Sequence, residues 1–223
     1  LQLHQVKHIG VILAICQSAM GRPRCSEKTA QTGIKLLMQI LLSGEAVDAS
    51  LQQAAEKVLH NQLMQIQKLS QYCQMALSEL VLRRWEGTHD RKCFGDLLTL
   101  FFNGPEDIVQ LCQEILESIV LSEGGGTYFE DFIRAYSALP DHGSRKGVRE
   151  TVYRLLWIPL ERKMPYLENE AFCRLILGME SNIWKPWIVK WMAQHTDRSE
   201  LYQTLGGKEK ELYLCLFTAE SRG

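Results

Sequence analysis

Residues 50–84 read SLQQAAEKVLHNQLMQIQKLSQYCQMALSELVLRR, a run with neither glycine nor proline. Leu51, Ala55, Val58, Leu59, Leu63, Ile66, Leu69, Cys73, Leu77, Leu80 and Val81 recur in it with helical spacing, and seven glutamines between Gln52 and Gln74 take the remaining faces. No stretch of it reads convincingly as a strand. As one helix the run would reach about 50 Å, at ~1.5 Å per residue. A break near His60-Asn61 or at Ser70 would instead make two helices of ordinary length, and the break is the expectation adopted.

Working outward, the same rhythm recurs. Upstream, Leu3, Val6, Ile9, Ile12 or Leu13, and Cys16 form an apolar stripe that Gly21-Arg22-Pro23 ends. Ser26, Glu27 and Thr29 then open a second helix through Ile34, Leu37, Ile40 and Leu41, closed by Gly44. Downstream, Gly87-Thr88-His89-Asp90 is a turn, and Phe94, Leu97, Leu98 and Phe101 form a helix ended by Asn103-Gly104. Pro105, with Glu106 and Asp107 behind it, starts the next through Ile108, Leu111, Cys112, Ile115, Ile119 and Val120. Gly124-Gly125-Gly126 is a hinge candidate spanning 123–127, before Phe129, Phe132, Ile133 and Tyr136. Pro140-Asp141-His142-Gly143 is a loop, and Val148 to Leu160 is a helix that Pro159 kinks or ends. Short helices around Phe172–Ile176, Trp184–Trp191, Leu201–Leu205 and Leu212–Phe217 complete roughly eleven or twelve.

Segments of this kind, paired and about 35–45 residues apart, predict an all-α fold. The paired helices resemble armadillo and HEAT repeats. Locally, Gly147-Val148-Arg149-Glu150-Thr151-Val152-Tyr153-Arg154-Leu155-Leu156 resembles the start of a HEAT or armadillo helix, with an early Arg before aliphatic core positions. The resemblance implies a right-handed α-solenoid or an irregular armadillo/HEAT-like array, forming a single helical-repeat domain over 1–223. Such a fold implies a surface that binds a segment of another protein, as a peptide or a helix. The chain opens on Leu1 rather than Met, which suggests a fragment of a longer protein.

Bulk composition narrows the setting. A net charge of −1 opposes a continuous nucleic-acid track, and the longest uncharged run, Gly10 to Gly21, is too short to span a bilayer. The seven cysteines are odd in number and scattered, with no C-x-x-C pair, which predicts reduced thiols in cytoplasm or nucleus.

His60, His89, Asp90 and Asp141 invite comparison with all-α metal phosphohydrolases, but Asp90 after Gly87-Thr88 reads better as a helix cap. Gly143-Ser144-Arg145-Lys146-Gly147 lacks the Gly-Lys-Ser/Thr ending of a phosphate loop, and no zinc-ligand spacing occurs. Neither an enzyme nor a cofactor is expected.

Candidate contacts come from charge and aromatics. Between Lys92 and Arg134 there is no basic residue, against acids Asp96, Glu106, Asp107, Glu114, Glu117, Glu123, Glu130 and Asp131. Trp184, Trp187 and Trp191 share one helical face and are the first candidate anchors for a partner; Arg145, Lys146 and Arg149 are the second. Both sets have a plain alternative, as core aromatics and as solvated charge. The alternatives in function are a nucleic-acid-binding or DNA-repair module similar to the helical-repeat alkylpurine glycosylases, and a structural subunit of a larger complex.

Overall fold

The computed structural model describes residues 27–43, 48–139 and 145–168, and every regular element among them is helical. Seven α-helices are present among the described residues: α1 (Glu27–Leu42), α2 (Ala49–Leu63), α3 (Gln71–Thr88), α4 (Arg91–Asn103), α5 (Glu106–Val120), α6 (Gly125–Ser137) and α7 (Lys146–Glu161). Short 3-10 turns follow at Ile66–Lys68 and Pro165–Glu168. The helices expected before Ser26 and after Glu168, and the loop at 140–143, lie outside the described residues.

The long run at 50–84 is two helices. Helix α2 ends at Leu63, the 3-10 turn intervenes, and Ser70 caps α3 by accepting the Cys73 N–H at 3.4 Å. His60 and Asn61 stay helical, so of the two expected break points Ser70 is the one used. A serine hydroxyl satisfies one of the donors a helix start leaves unpaired. Asp48 opens α2 in the same way, taking the N–H groups of Ser50 and Leu51 at 2.9 and 3.3 Å.

Contacts divide the chain into two compact units, 1–113 and 114–223, the division falling inside α5. In the first unit α1 packs on α2 and α3, and α4 packs on α2 and α3. Two antiparallel hairpins, α1–α2 and α3–α4, therefore stack with α1 against α3 and α2 against α4. Ile34, Leu37, Ala55, Leu59, Leu63, Leu77, Leu80, Phe94, Leu97 and Phe101 fill the space between them and are almost wholly buried. None of these helices is long enough to be stable alone in water, so the shared core holds all four. Gly104 permits the tight exit from α4: a Cβ there would stand 2.5 Å from the Leu100 carbonyl oxygen.

In the second unit Phe129, Phe132, Ile133, Tyr136, Val148, Val152, Leu155 and Leu156 are buried. The glycine triplet opens α6, with Gly124 at its cap position and Gly125 and Gly126 in its first turn. A Cβ on Gly125 would lie 2.6 Å from the Val120 carbonyl oxygen and 2.7 Å from that of Ile119, so glycine is needed for close packing on the end of α5. Tyr166 secures the same place, its hydroxyl donating to the Val120 carbonyl at 2.6 Å while its ring meets Phe129. Pro159 sits one turn from the end of α7, within the helix and buried.

Candidate interaction surface

Three features of the described residues bear on function: a buried ion cluster, the basic start of α7, and an apolar groove in the first unit.

The cluster joins three helices. Arg84 of α3, only 6% exposed, pairs with Asp96 of α4 and with Glu56 of α2 at 3.1 Å. Lys92 of α4 completes it on Glu56 from the solvent side. Burial pushes the Asp96 carboxyl above its ordinary value, and the opposing pull of the Arg84 guanidinium only partly offsets this. Asp96 is thus an internal ion, not part of an acidic surface block. Its place between Phe94 and Leu97, and that of Arg84 one turn after Leu80 and Val81, are the signals in the sequence for a buried pair. The arrangement supplies charge neutralisation between helices.

At His89-Asp90 the geometry is that of a helix boundary. His89 adopts a left-handed conformation with φ 52°, ends α3 through its N–H to the Trp85 carbonyl at 2.9 Å, and packs its ring on Trp85. Asp90 caps α4 by accepting the Cys93 N–H at 2.7 Å. These roles use both residues locally, while His60 lies on α2 and Asp141 lies outside the described residues.

Of the predicted contact residues, Trp184, Trp187 and Trp191 lie outside the described residues. Arg145, Lys146 and Arg149 are brought together on the first turns of α7, with Lys146 and Arg149 exposed. Lys146 approaches Glu150 at 3.7 Å in an exposed pair, and Arg154, the next basic residue, is held by both oxygens of Glu117. Cations at a helix start oppose its dipole, by about 0.3–1 kcal/mol each at low salt. Arg145 occupies the cap position without a capping bond from its side chain. The acids are likewise partly engaged: Glu117 by Arg154, Glu130 by Arg134 at 2.6 Å.

The groove is a feature that spacing alone did not single out. Its floor is one stripe of α3, Tyr72, Met75, Ala76, Glu79, Leu82, Arg83 and Glu86, and its walls are Ile34, Lys35 and Met38 of α1 and Ile108 and Leu111 of α5. The volume is about 630 Å³. Tyr72, Met75 and Leu111, which all line the groove, are 37, 52 and 42% exposed, three of the five exposed large apolar side chains among the described residues. Helix α3 is apolar on two faces: Cys73, Leu77, Leu80 and Val81 are buried, while Tyr72, Met75, Ala76 and Leu82 turn to the groove. A helix apolar on both sides calls for cover on both. Spacing, which gives the remaining faces of this run to glutamine, does not name this second apolar face.

No described helix is long and apolar enough to cross a membrane. Cys73, Cys93 and Cys112 are free and buried, and burial pushes the Cys112 thiol up to about 12. No family model, no curated protein and no solved structure matches this chain.

Proposed function

We propose that the chain is a non-enzymatic protein-interaction module of stacked helical hairpins, and that the groove along α3 receives the apolar face of a helical segment from another protein. The observation that carries this reading is the groove itself, with Tyr72, Met75 and Leu111 exposed together on a packed helical unit. Aromatic and methionine side chains suit such a role: tyrosine offers large contact area with few rotors, and methionine repacks around differing partners. Helix-in-groove recognition uses anchors one turn apart, the spacing the floor of α3 presents. The stacked pairing of α1–α2 on α3–α4 supports an armadillo/HEAT-like array, in which each hairpin covers the next. Buried free thiols favour a reducing compartment, cytoplasm or nucleus.

The test is affinity purification with the full chain and two single variants, Met75→Glu and a surface control on α2, Lys57→Glu. Proteins retained by the wild type and by the control should be lost from Met75→Glu, whose melting temperature should be unchanged because the side chain is half exposed. Retention of the same proteins by Met75→Glu removes the groove as the binding surface.

A further inference from the structure

The charged groups of the lining outside the Glu79–Arg83 pair are Lys35 on the α1 wall and Glu86 at the far end of the floor. Beyond the lining, Lys28 lies two turns before Lys35 on the same face of α1, and Asp107 precedes Leu111 by one turn on α5. Lys28, Lys35, Glu86 and Asp107 enter none of the ion pairs among the described residues, whereas Glu79 and Arg83 on the floor pair with each other at 2.6 Å. The lining from Tyr72 to Glu86 is about 21 Å long at ~1.5 Å per residue. That length fits a helix of about four turns, while an extended peptide would cross it in about six residues.

We propose that the occupant is an amphipathic helix of about four turns, belonging to another protein, with an apolar face flanked by acidic residues on one side and basic residues on the other. The acidic flank meets Lys28 and Lys35, the basic flank meets Asp107 and Glu86, and the apolar face rests on Tyr72, Met75 and Leu111. This inference rests on the groove reading above and adds the partner's chemistry. Charges at the rim of an apolar contact select among partners more than they add affinity, because water screens them. A chain with a net charge of −1 exerts little overall pull on a peptide of either sign, so a preference reports the local walls.

Three fluorescein-labelled synthetic helices of about 14 residues test it. All share one leucine face; the flanks are Glu on one side and Lys on the other, Glu on both, or Lys on both. Anisotropy with the full 223-residue chain at low salt should show the mixed peptide binding roughly five-fold tighter than either single-sign peptide, an advantage that shrinks as salt is raised. In the Lys28→Glu, Lys35→Glu double variant the Lys-flanked peptide should become the tightest. If that variant melts early, Lys28→Gln with Lys35→Gln serves, and the mixed peptide should lose its advantage over the Lys-flanked one. Equal binding of all three peptides, abolished in Met75→Glu, keeps the groove and overturns the charge assignment. Binding of none overturns both. Sedimentation showing self-association that Met75→Glu removes places a second copy in the groove and overturns the proposed partner.

Discussion

Gln62 is wholly buried, and its Nε2 has no hydrogen-bond partner among the described residues; its side chain meets only Gln65, at 3.4 Å. An unpaired buried donor costs about 1–3 kcal/mol of desolvation. Replacing Gln62 with leucine, of similar volume, removes that cost and should raise stability by about 1 kcal/mol in urea unfolding; a loss of stability would mean that the amide is satisfied. Asp90 makes the opposite case. Partial burial works against its charge, yet the bonds from the Cys93 N–H and thiol, the bond from the Lys92 N–H and the nearby Arg84 together hold its carboxyl below the ordinary 3.8. With the folded pKa depressed, the contribution is present above 3.8 and fades as pH falls through the lower folded value. Asp90→Ala should cost about 1 kcal/mol at neutral pH. Asp90→Asn keeps a cap but should flatten the acid limb below pH 4, seen as a shallower fall of melting temperature with pH. An unaltered acid limb in Asp90→Asn would show that the cap does not titrate.

Helix ends, whose capping residues act within a few positions, were legible before any coordinates: Ser70 and Asp90 each sit where the stripe must restart. The stripes themselves place Leu77, Leu80, Phe94 and Leu97 in the core, as found. Leu111 illustrates the limit, since it keeps helical spacing with Ile108 and Cys112 yet faces the groove; spacing assigns a residue to a side of a helix without saying what covers that side. Arg84 and Asp96 show a second limit, because a charge at an apolar register position is explained only by a partner on another helix. This cluster yields a prediction at the level of elements. Removing Arg84 leaves Asp96 buried without its cation, while Glu56 keeps Lys92, so Arg84→Met should destabilise by about 3–5 kcal/mol. The triple variant Arg84→Met, Glu56→Gln, Asp96→Asn should recover most of that loss. Without recovery, the cluster's value would lie in packing of the Arg84 stem rather than in charge.

At the scale of the molecule, the first unit has no helix pair that is sealed by itself. The hairpin α3–α4 buries one side on α1 and α2, and α1 is the only described element besides α4 and the 3-10 turn packed substantially on α3. Removing α1 would therefore expose the apolar residues of α2 and α3 that pack on it. A chain shortened to begin at Asp48 lacks residues 1–47, α1 among them, and with it Ile34 and Leu37, both almost wholly buried. At about 1.5–3 kcal/mol for each buried aliphatic side chain, the loss of Ile34 and Leu37 alone is a large share of the roughly 5–15 kcal/mol that a domain has in hand. The shortened chain should bind a hydrophobic dye such as ANS and lose the sharp unfolding transition reported by Trp85 fluorescence. Trp85 lies on α3 against Phe94, so its signal reads the stacked unit directly. The comparison requires a single-tryptophan background in which Trp157, Trp184, Trp187 and Trp191 are phenylalanine. If the shortened chain keeps a cooperative transition at the same urea concentration and binds no dye, then α2, α3 and α4 form a self-sufficient core, and α1 is an appended wall of the groove whose loss should affect binding alone.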